Sequence, residues 1–419
     1  MFQFIHAADI HLDSPLRGLE QYEGAPVDEI RLATRKALEN LVALALDLKV
    51  AFVVIAGDLF DGEWKDYNTG LFFAKQMSRL RESAIPVFVV KGNHDANNKM
   101  TRTLKMPDNV HVFSHAKPET FQVDSCGVAL HGQSYAIAAT TKNLVEDYPN
   151  ASGNRFNIGV LHTCASGREG HAPYAPCTVA DLSAKGYDYW ALGHVHNREI
   201  LSQSPLIVFP GNIQGRHIRE TGPKGCTVVT VDDKGTASES FEPLCVLQWE
   251  SLIVKLDGAD SEPEVLGKIT EAVVHLVREH VDYPLAVRVE LVGACGANEL
   301  LRSNSEYWIN QVRAIATDCA SDRVWVEKVK FNTSARCLSS EQVSADGAAL
   351  GELFALIEEY SSDDELLNSL RKELADIDKK LSVEVKEIIG WNDESFLRET
   401  LQDVQNILNA RLGQKESKI

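Results

Sequence analysis

The chain has 419 residues, 44% hydrophobic and 24% charged, the composition of a globular protein too long for one ordinary core, so two or three domains are expected. No stretch approaches the roughly 20 apolar residues of a membrane span, and the opening "MFQFIHAADIH" reads as a strand and not as a signal peptide. The eight cysteines form no CxxC pair, which speaks against structural zinc or a disulfide framework and makes the cytoplasm the expected compartment.

The formal charge of −18 opposes contact with phosphates, but it is unevenly spread. Residues 346–419 hold 17 acidic and 9 basic side chains and residues 246–345 hold 15 and 10, against 28 and 23 in the first 245.

In chain order, "FQFIHAAD" predicts a strand, and Ile30, Ala33, Ala37, Leu41, Leu44 and Leu48 fall at helical spacing. "VAFVVIAGDLFDG" is an apolar run closed by Gly57, Asp58, Asp61 and Gly62. After a second helical stretch, "IPVFVVKGNHD" is another, closed by Gly92, Asn93, His94 and Asp95. Apolar strands alternating with helices imply a largely parallel sheet with both faces covered. From about residue 110 short turn-bounded strands ("VHVF", "ETFQV", "GVALHGQSY", "NIGVLHT", "LIVFPGN", "GCTVVTVD") suggest antiparallel sheet. Two packed sheets flanked by helices accommodate both halves.

Near residue 245 the pattern restarts as a strand-helix-strand-helix-strand unit, from "SLIVKLDG" through "LAVRVELVG" to "VWVEKVKFN". A Ser- and Ala-rich linker follows at about 334–348. Beyond it Leu367, Leu370, Leu374, Ile377 and Leu381, and again Leu397, Leu401, Val404 and Leu408, repeat at threes and fours with charge between them. Such stripes either pack within the chain or dock a partner helix. The domains expected are 1–245, 246–340 and 341–419.

The chemistry-bearing residues share one grammar. "ADIH" gives Asp9 and His11 after the first strand, "GDLFD" gives Asp58 and "GNHD" gives Asn93 and His94. "LHT" gives His162 and "GHVH" gives His194 and His196. Taken singly, an Asp after a strand caps a helix, Gly-Asn makes a turn, and two histidines at i and i+2 share one face of an extended strand. Five strand ends with seven metal-binding side chains are a different matter, because ligands gather at the carboxyl ends of strands in open α/β sheets. Two divalent ions about 3.5–4 Å apart can clamp the attacking and leaving oxygens of a phosphoryl displacement, and holding them so close calls for a shared carboxylate such as Asp58. Ligands of His, Asp and Asn without Cys suit Mn, Fe or Zn.

Over about residues 4–215 the order DxH, GDxxx, GNHD, lone His, GHxH resembles the calcineurin-like metallophosphoesterases. The wording of "HAADIHLDSPLRGL" and "GDLFD" resembles the SbcD/YhaO-type DNA repair exonucleases within them. The resemblance implies a four-layer αββα metallophosphoesterase sandwich with a small α/β capping domain and C-terminal helices. It places Asp9, His11 and His196 on one ion, Asn93, His162 and His194 on the other, and Asp58 on both, with Mn favoured and Mg also possible. His94 is then the expected general acid, with a neighbouring carboxylate such as Asp95 to orient its ring.

It further implies DNA as substrate, an SMC-like coiled-coil ATPase on the C-terminal helices, and a homodimer. Many relatives carry a His where Asp61 stands. Arg216, His217, Arg219 and Lys224 make a basic loop near the metal ligands that either grips substrate phosphate or is a solvated surface, and Arg17 is open to the same two readings. A phosphomonoesterase or small-molecule phosphodiesterase on the same fold, and a non-catalytic scaffold for an ATPase, are the rival functions.

Overall fold

The computed structural model describes residues 1–14, 32–61, 67–96, 106–165, 174–335, 348–381, 386, 391 and 395–412. The chain divides into two compact units. The first comprises Met1–Ser251, Leu276–Arg288 and Ala320–Lys328, and the second Leu252–His275, Val289–Cys319 and Val329–Ile419.

The first unit holds two six-stranded sheets. One runs β12-β11-β1-β2-β3-β4, from β1 (Phe2–Ala7), β2 (Phe52–Ala56), β3 (Val87–Val90), β4 (Val110–Val112), β11 (Gly225–Val231) and β12 (Ala237–Pro243). The other runs β5-β6-β7-β8-β10-β9, from β5 (Glu119–Val123), β6 (Val128–Gly132), β7 (Phe156–His162), β8 (Tyr189–Gly193), β9 (Glu199–Gln203) and β10 (Leu206–Phe209).

Alternation along the strands builds the layers. Phe4, Phe52, Val54 and Phe88 of the first sheet meet Leu130, Ile158, Val160 and Tyr189 of the second in one buried core. Ile5, Val53, Ile55 and Val89 point the other way, onto the helices Ala33–Leu48 and Asn68–Glu82 through Leu38, Leu41, Phe73 and Met77. Both faces of β2 are therefore apolar, which explains its uninterrupted "FVVIA". The outer face of the second sheet packs Trp190, Leu192, Ile207 and Phe209 against Tyr135, Leu144, Tyr148 and Leu182. That outer layer is thin, made of the short helix Val179–Ser183, the 3-10 turn Leu144–Asp147 and loops. The αββα layering is the expected one.

One expectation is corrected. The second sheet is not antiparallel throughout: β6 with β7, β7 with β8 and β8 with β10 are parallel, and only the edge strands β5 and β9 run antiparallel. Strand direction follows from the route of the connection, and the long excursions between β6, β7 and β8 return the chain to the same end. The turn-rich "GCTVVTVD" segment crosses back to pair antiparallel with β1, Phe2 opposite Val231.

The later elements follow the expected order: β13 (Gln248–Lys255), helix Glu262–Glu279, β14 (Leu285–Ala294), helices Asn298–Ser303 and Ser305–Ala320, and β15 (Val324–Ser334), with β14 central in a three-stranded sheet. In the second unit the C-terminal helices Ala348–Ser362, Asp364–Glu373 and Ser395–Leu412 pack on one another. Ile357, Leu367 and Leu397 are buried, while Leu356, Ile377 and Val404 stay exposed. No helix among the described residues is long and apolar enough to cross a membrane.

Candidate active site

At the carboxyl ends of β1, β2 and β8 the backbone leaves extended geometry abruptly. Asp9, His11, Asp58 and His194 all have positive φ, at 51°, 43°, 47° and 104°. For residues with a Cβ each such conformation costs of order 1–3 kcal/mol, and it persists only where the surroundings enforce it. Here they do. The N–H of Asp9 donates to the Gly57 carbonyl and that of His11 to the Asp58 carbonyl, both at 3.0 Å. The His194 N–H donates to the Asp9 carboxylate at 2.9 and 3.1 Å, and the His94 N–H to Asp58 Oδ1 at 3.0 Å.

Two motif glycines are there for close approach. A Cβ on Gly57, whose φ is +96°, would stand 2.3 Å from His162 Nδ1, and one on Gly92 would stand 2.2 Å from Asp58 Oδ1.

The structure brings all seven expected ligand side chains together. Donor atoms of Asp9, His11 and His196 form one cluster and those of Asp58, His162 and His194 a second, each within 4.8 Å; His11, Asp58 and His94 form a third overlapping group. Asn93 joins the second cluster, its Oδ1 lying 3.0 Å from His162 Nε2. The geometry also corrects the picture of His194 and His196 side by side on a strand. β8 ends at Gly193, and with His194 in left-handed backbone the rings part, His194 to 5.1 Å from the His162 ring and His196 to 5.1 Å from the His11 ring.

These clusters fit cations by a donor count. His162 Nδ1 lies 3.0 Å from the Ala56 carbonyl and so carries the ring proton. Its Nε2 then faces two oxygens, Asn93 Oδ1 at 3.0 Å and Asp58 Oδ2 at 3.4 Å, that call for a proton or a cation between them. Likewise His11 Nε2 and His196 Nε2 face each other at 3.3 Å, with Asp9 Oδ1 3.8 Å from the latter. A proton satisfies one such pair at a time; a divalent cation satisfies a whole cluster.

Burial lowers the His162 pKa, yet the Asp58 charge and hydrogen bond, with the Asp9 charge and the Ala56 carbonyl, together outweigh it and lift it to about 9, so without metal a second proton stands on the ring where a cation would otherwise balance the carboxylates. Burial likewise pushes the Asp58 carboxyl up, and His162, His11 and His94 more than offset it, holding the group ionised. Burial takes His11 down to about 4, so its imidazole is neutral, the state in which a ring nitrogen ligates.

His94 stands at the edge of this array, its side chain 40% exposed, its ring against that of His11. Its partner is Asp61 and not Asp95: His94 Nδ1 lies 3.0 Å from Asp61 Oδ1, and this contact raises the His94 pKa. Asp95 turns the other way, accepting the N–H groups of Leu59 at 3.1 Å, Phe60 at 2.9 Å and Gly92 at 3.1 Å, so it ties the loop after Asp58 to the loop carrying Asn93.

The basic loop resolves into distinct roles. Arg216 is largely buried, its guanidinium 3.3 Å from Glu220 Oε1, 3.4 Å from Ser14 Oγ and 3.9 Å from Asp61 Oδ1. His217 is half-exposed with Nε2 3.5 Å from Glu220, and Arg219 is exposed. Lys224 is no phosphate contact: it is buried, and its Nζ donates to the His196 carbonyl at 3.2 Å and Asn197 Oδ1 at 3.3 Å. Arg17 lies outside the described residues. Sequence reasoning missed Glu220, whose Oε1 lies 2.6 Å from His196 Nδ1. The signal available was a lone acid in a basic loop.

Residues 2–198 match the calcineurin-like phosphoesterase family and residues 249–334 the middle domain of the metallophosphoesterase YhaO. The chain is 37% identical over 294 residues to an uncharacterized metallophosphoesterase YhaO of Bacillus subtilis, covering 69% of this chain and 71% of that protein. It is 23% identical over 269 residues to a component of the nuclease SbcCD of Staphylococcus epidermidis, covering 58% of this chain and 69% of that one. Among solved structures it is similar to a dimetal phosphatase from Danio rerio, 12% identical with a TM-score of 0.34, over 57% of this chain and 99% of the other. The chain belongs to the YhaO-type calcineurin-like metallophosphoesterases, hydrolases that use divalent metal ions.

Proposed function

We propose that this protein is a two-metal phosphodiesterase that cleaves DNA as an exonuclease and hairpin-opening endonuclease in DNA repair. The observation that carries the reading is the gathering of the donor atoms of Asp9, His11 and His196, and of Asp58, His162 and His194, into two adjoining clusters each within 4.8 Å, with Asn93 Oδ1 3.0 Å from His162 Nε2. Asp9, His11 and His196 hold one ion, Asn93, His162 and His194 the other, and Asp58 both; Mn is the proposed metal. When bound, the two ions supply Lewis acidity and positive charge for hydrolysis of a phosphodiester.

The protein's own groups do the rest. His94, whose protonated form Asp61 favours and whose side chain is part-exposed, donates its proton to the leaving oxygen and opposes charge on the phosphoryl group. His217 and Arg219, on the open side of the basic loop, hold flanking phosphates; Arg216 acts through Glu220 and Asp61. The similarity to a protein named as a component of a nuclease supports DNA over a small phosphomonoester. The exposed apolar side chains left on the C-terminal helices support docking of an SMC-like coiled-coil ATPase there, and a homodimer is the proposed assembly.

The test is hydrolysis of linear duplex and hairpin DNA with Mn, Mg or chelator, beside a phosphomonoester, by the wild type and Asn93→Ala. Metal-dependent DNA cleavage lost in the variant is expected. Activity confined to the phosphomonoester would make the protein a phosphatase.

A further inference from the structure

We infer that Glu220 is the positioning residue that fixes His196 for cation binding, and that Trp249 holds the Glu220 loop in place. The inference rests on the metal centre proposed above and goes beyond it, because no ligand motif in the sequence includes either residue.

Glu220 is buried and both its oxygens are committed. Oε1 accepts the proton on His196 Nδ1 at 2.6 Å. Oε2 accepts the Arg216 backbone N–H at 2.7 Å and Asn212 Nδ2 at 2.8 Å. With the Nδ1 proton placed, the only lone pair of the ring is on Nε2, which faces His11 Nε2 and Asp9. A carboxylate behind a ligating imidazole fixes its tautomer and ring plane and increases its basicity.

The carboxylate is itself aimed by a loop with an external anchor. Gly215 O accepts from Trp249 Nε1 at 3.0 Å, and the Gly222 N–H donates to the Trp249 carbonyl at 3.0 Å, so the two ends of the turn carrying Glu220 are pinned to one residue. Trp249 is fully buried and stands at the start of β13, where the match to the YhaO middle domain begins. Trp249 of β13 thus sets the orientation of a histidine 53 positions earlier in the same compact unit.

The experiment uses the full chain and Mn²⁺ alone as probe, with calorimetric titration, elemental analysis and the unfolding midpoint of the metal-free protein. Wild type takes two ions. Glu220→Gln keeps one at wild-type affinity and weakens the other about 10- to 100-fold, with a metal-free midpoint close to wild type. Trp249→Phe, which keeps an aromatic ring but loses the indole N–H and part of the ring volume, weakens the same ion by a smaller factor. Unchanged affinity for both ions in Glu220→Gln overturns the assignment. So does an equal loss of both ions together with a lower metal-free midpoint, which would make Glu220 a fold residue. A wild type that takes no ion pair overturns the metal centre itself, an outcome seen before any Glu220 variant is compared.

Discussion

His94 Nδ1 and Asp61 Oδ1 stand 3.0 Å apart, and the same carboxylate oxygen lies 3.5 Å from His11 Nδ1. Asp61 therefore orients at once the ring proposed as general acid and a ring proposed as a metal ligand, while Ser14 Oγ donates to its other oxygen at 2.8 Å. A positioned general acid contributes about 10²- to 10⁴-fold. His94→Ala should lose turnover in that range and keep both ions. Asp61→Asn, isosteric but uncharged, should lose less, about 10- to 100-fold, because the ring remains present but loses the carboxylate that favours its protonated form. Steady-state rates with elemental analysis check both; departure of metal from His94→Ala would remove its role as acid.

Gly92→Ala should damage the site without unfolding the protein. The added methyl would stand 2.2 Å from Asp58 Oδ1 and 2.8 Å from the Asp58 amide, so the shared carboxylate must move. Misplacement by about an ångström can cost about 10²-fold. We expect that loss in rate, with bound metal below two per chain and an unchanged far-ultraviolet circular dichroism spectrum.

Acid sensitivity should come in part from His6, buried between the sheets. Nε2 lies 3.1 Å from the Leu192 carbonyl and Nδ1 2.9 Å from the Tyr189 hydroxyl, the pattern of a neutral ring that donates once and accepts once. Burial lowers its pKa from 6.5 to about 3. Below pH 6.5 the unfolded chain takes up a proton that the folded chain refuses, so stability falls as pH drops and goes on falling to about pH 3. At about 1.4 kcal/mol per unit, the step from pH 6.5 to about pH 5 costs about 2 kcal/mol. Urea unfolding of metal-free wild type and His6→Gln at about pH 7 and about pH 5 should show that much less acid loss in the variant; equal losses would refute it.

If the C-terminal helices dock an SMC-like ATPase as proposed, removing the chain after residue 345 should leave the metal-binding clusters and abolish co-purification with that ATPase. The described helices lost pack mainly on each other, so the remainder keeps its own cores. A truncated chain that still brings down the ATPase places the docking surface elsewhere.

The candidate ligands were legible because each lies at or just past the end of an apolar strand, with a glycine directly before Asp58, Asn93 and His194. The glycines at 57 and 92 are part of the signal for a physical reason, since no Cβ fits beside His162 or Asp58. What escaped was made by folding over distance. Glu220 reaches His196 across 24 positions. The exchange of Asp95 for Asp61 as the partner of His94 escaped because neighbours in a helical turn point apart, and Asp95 finds backbone N–H groups on its side. Strand direction in the second sheet escaped because short strands between turns look alike whichever way the chain returns.

The most direct measurement is the anomalous scattering of crystals grown with Mn²⁺. Two peaks about 3.5–4 Å apart, one beside Asp9, His11 and His196, the other beside Asn93, His162 and His194, with Asp58 between them, are the predicted result. A map with no peak within reach of Asp58, in crystals that diffract well and contain excess Mn²⁺, would contradict it.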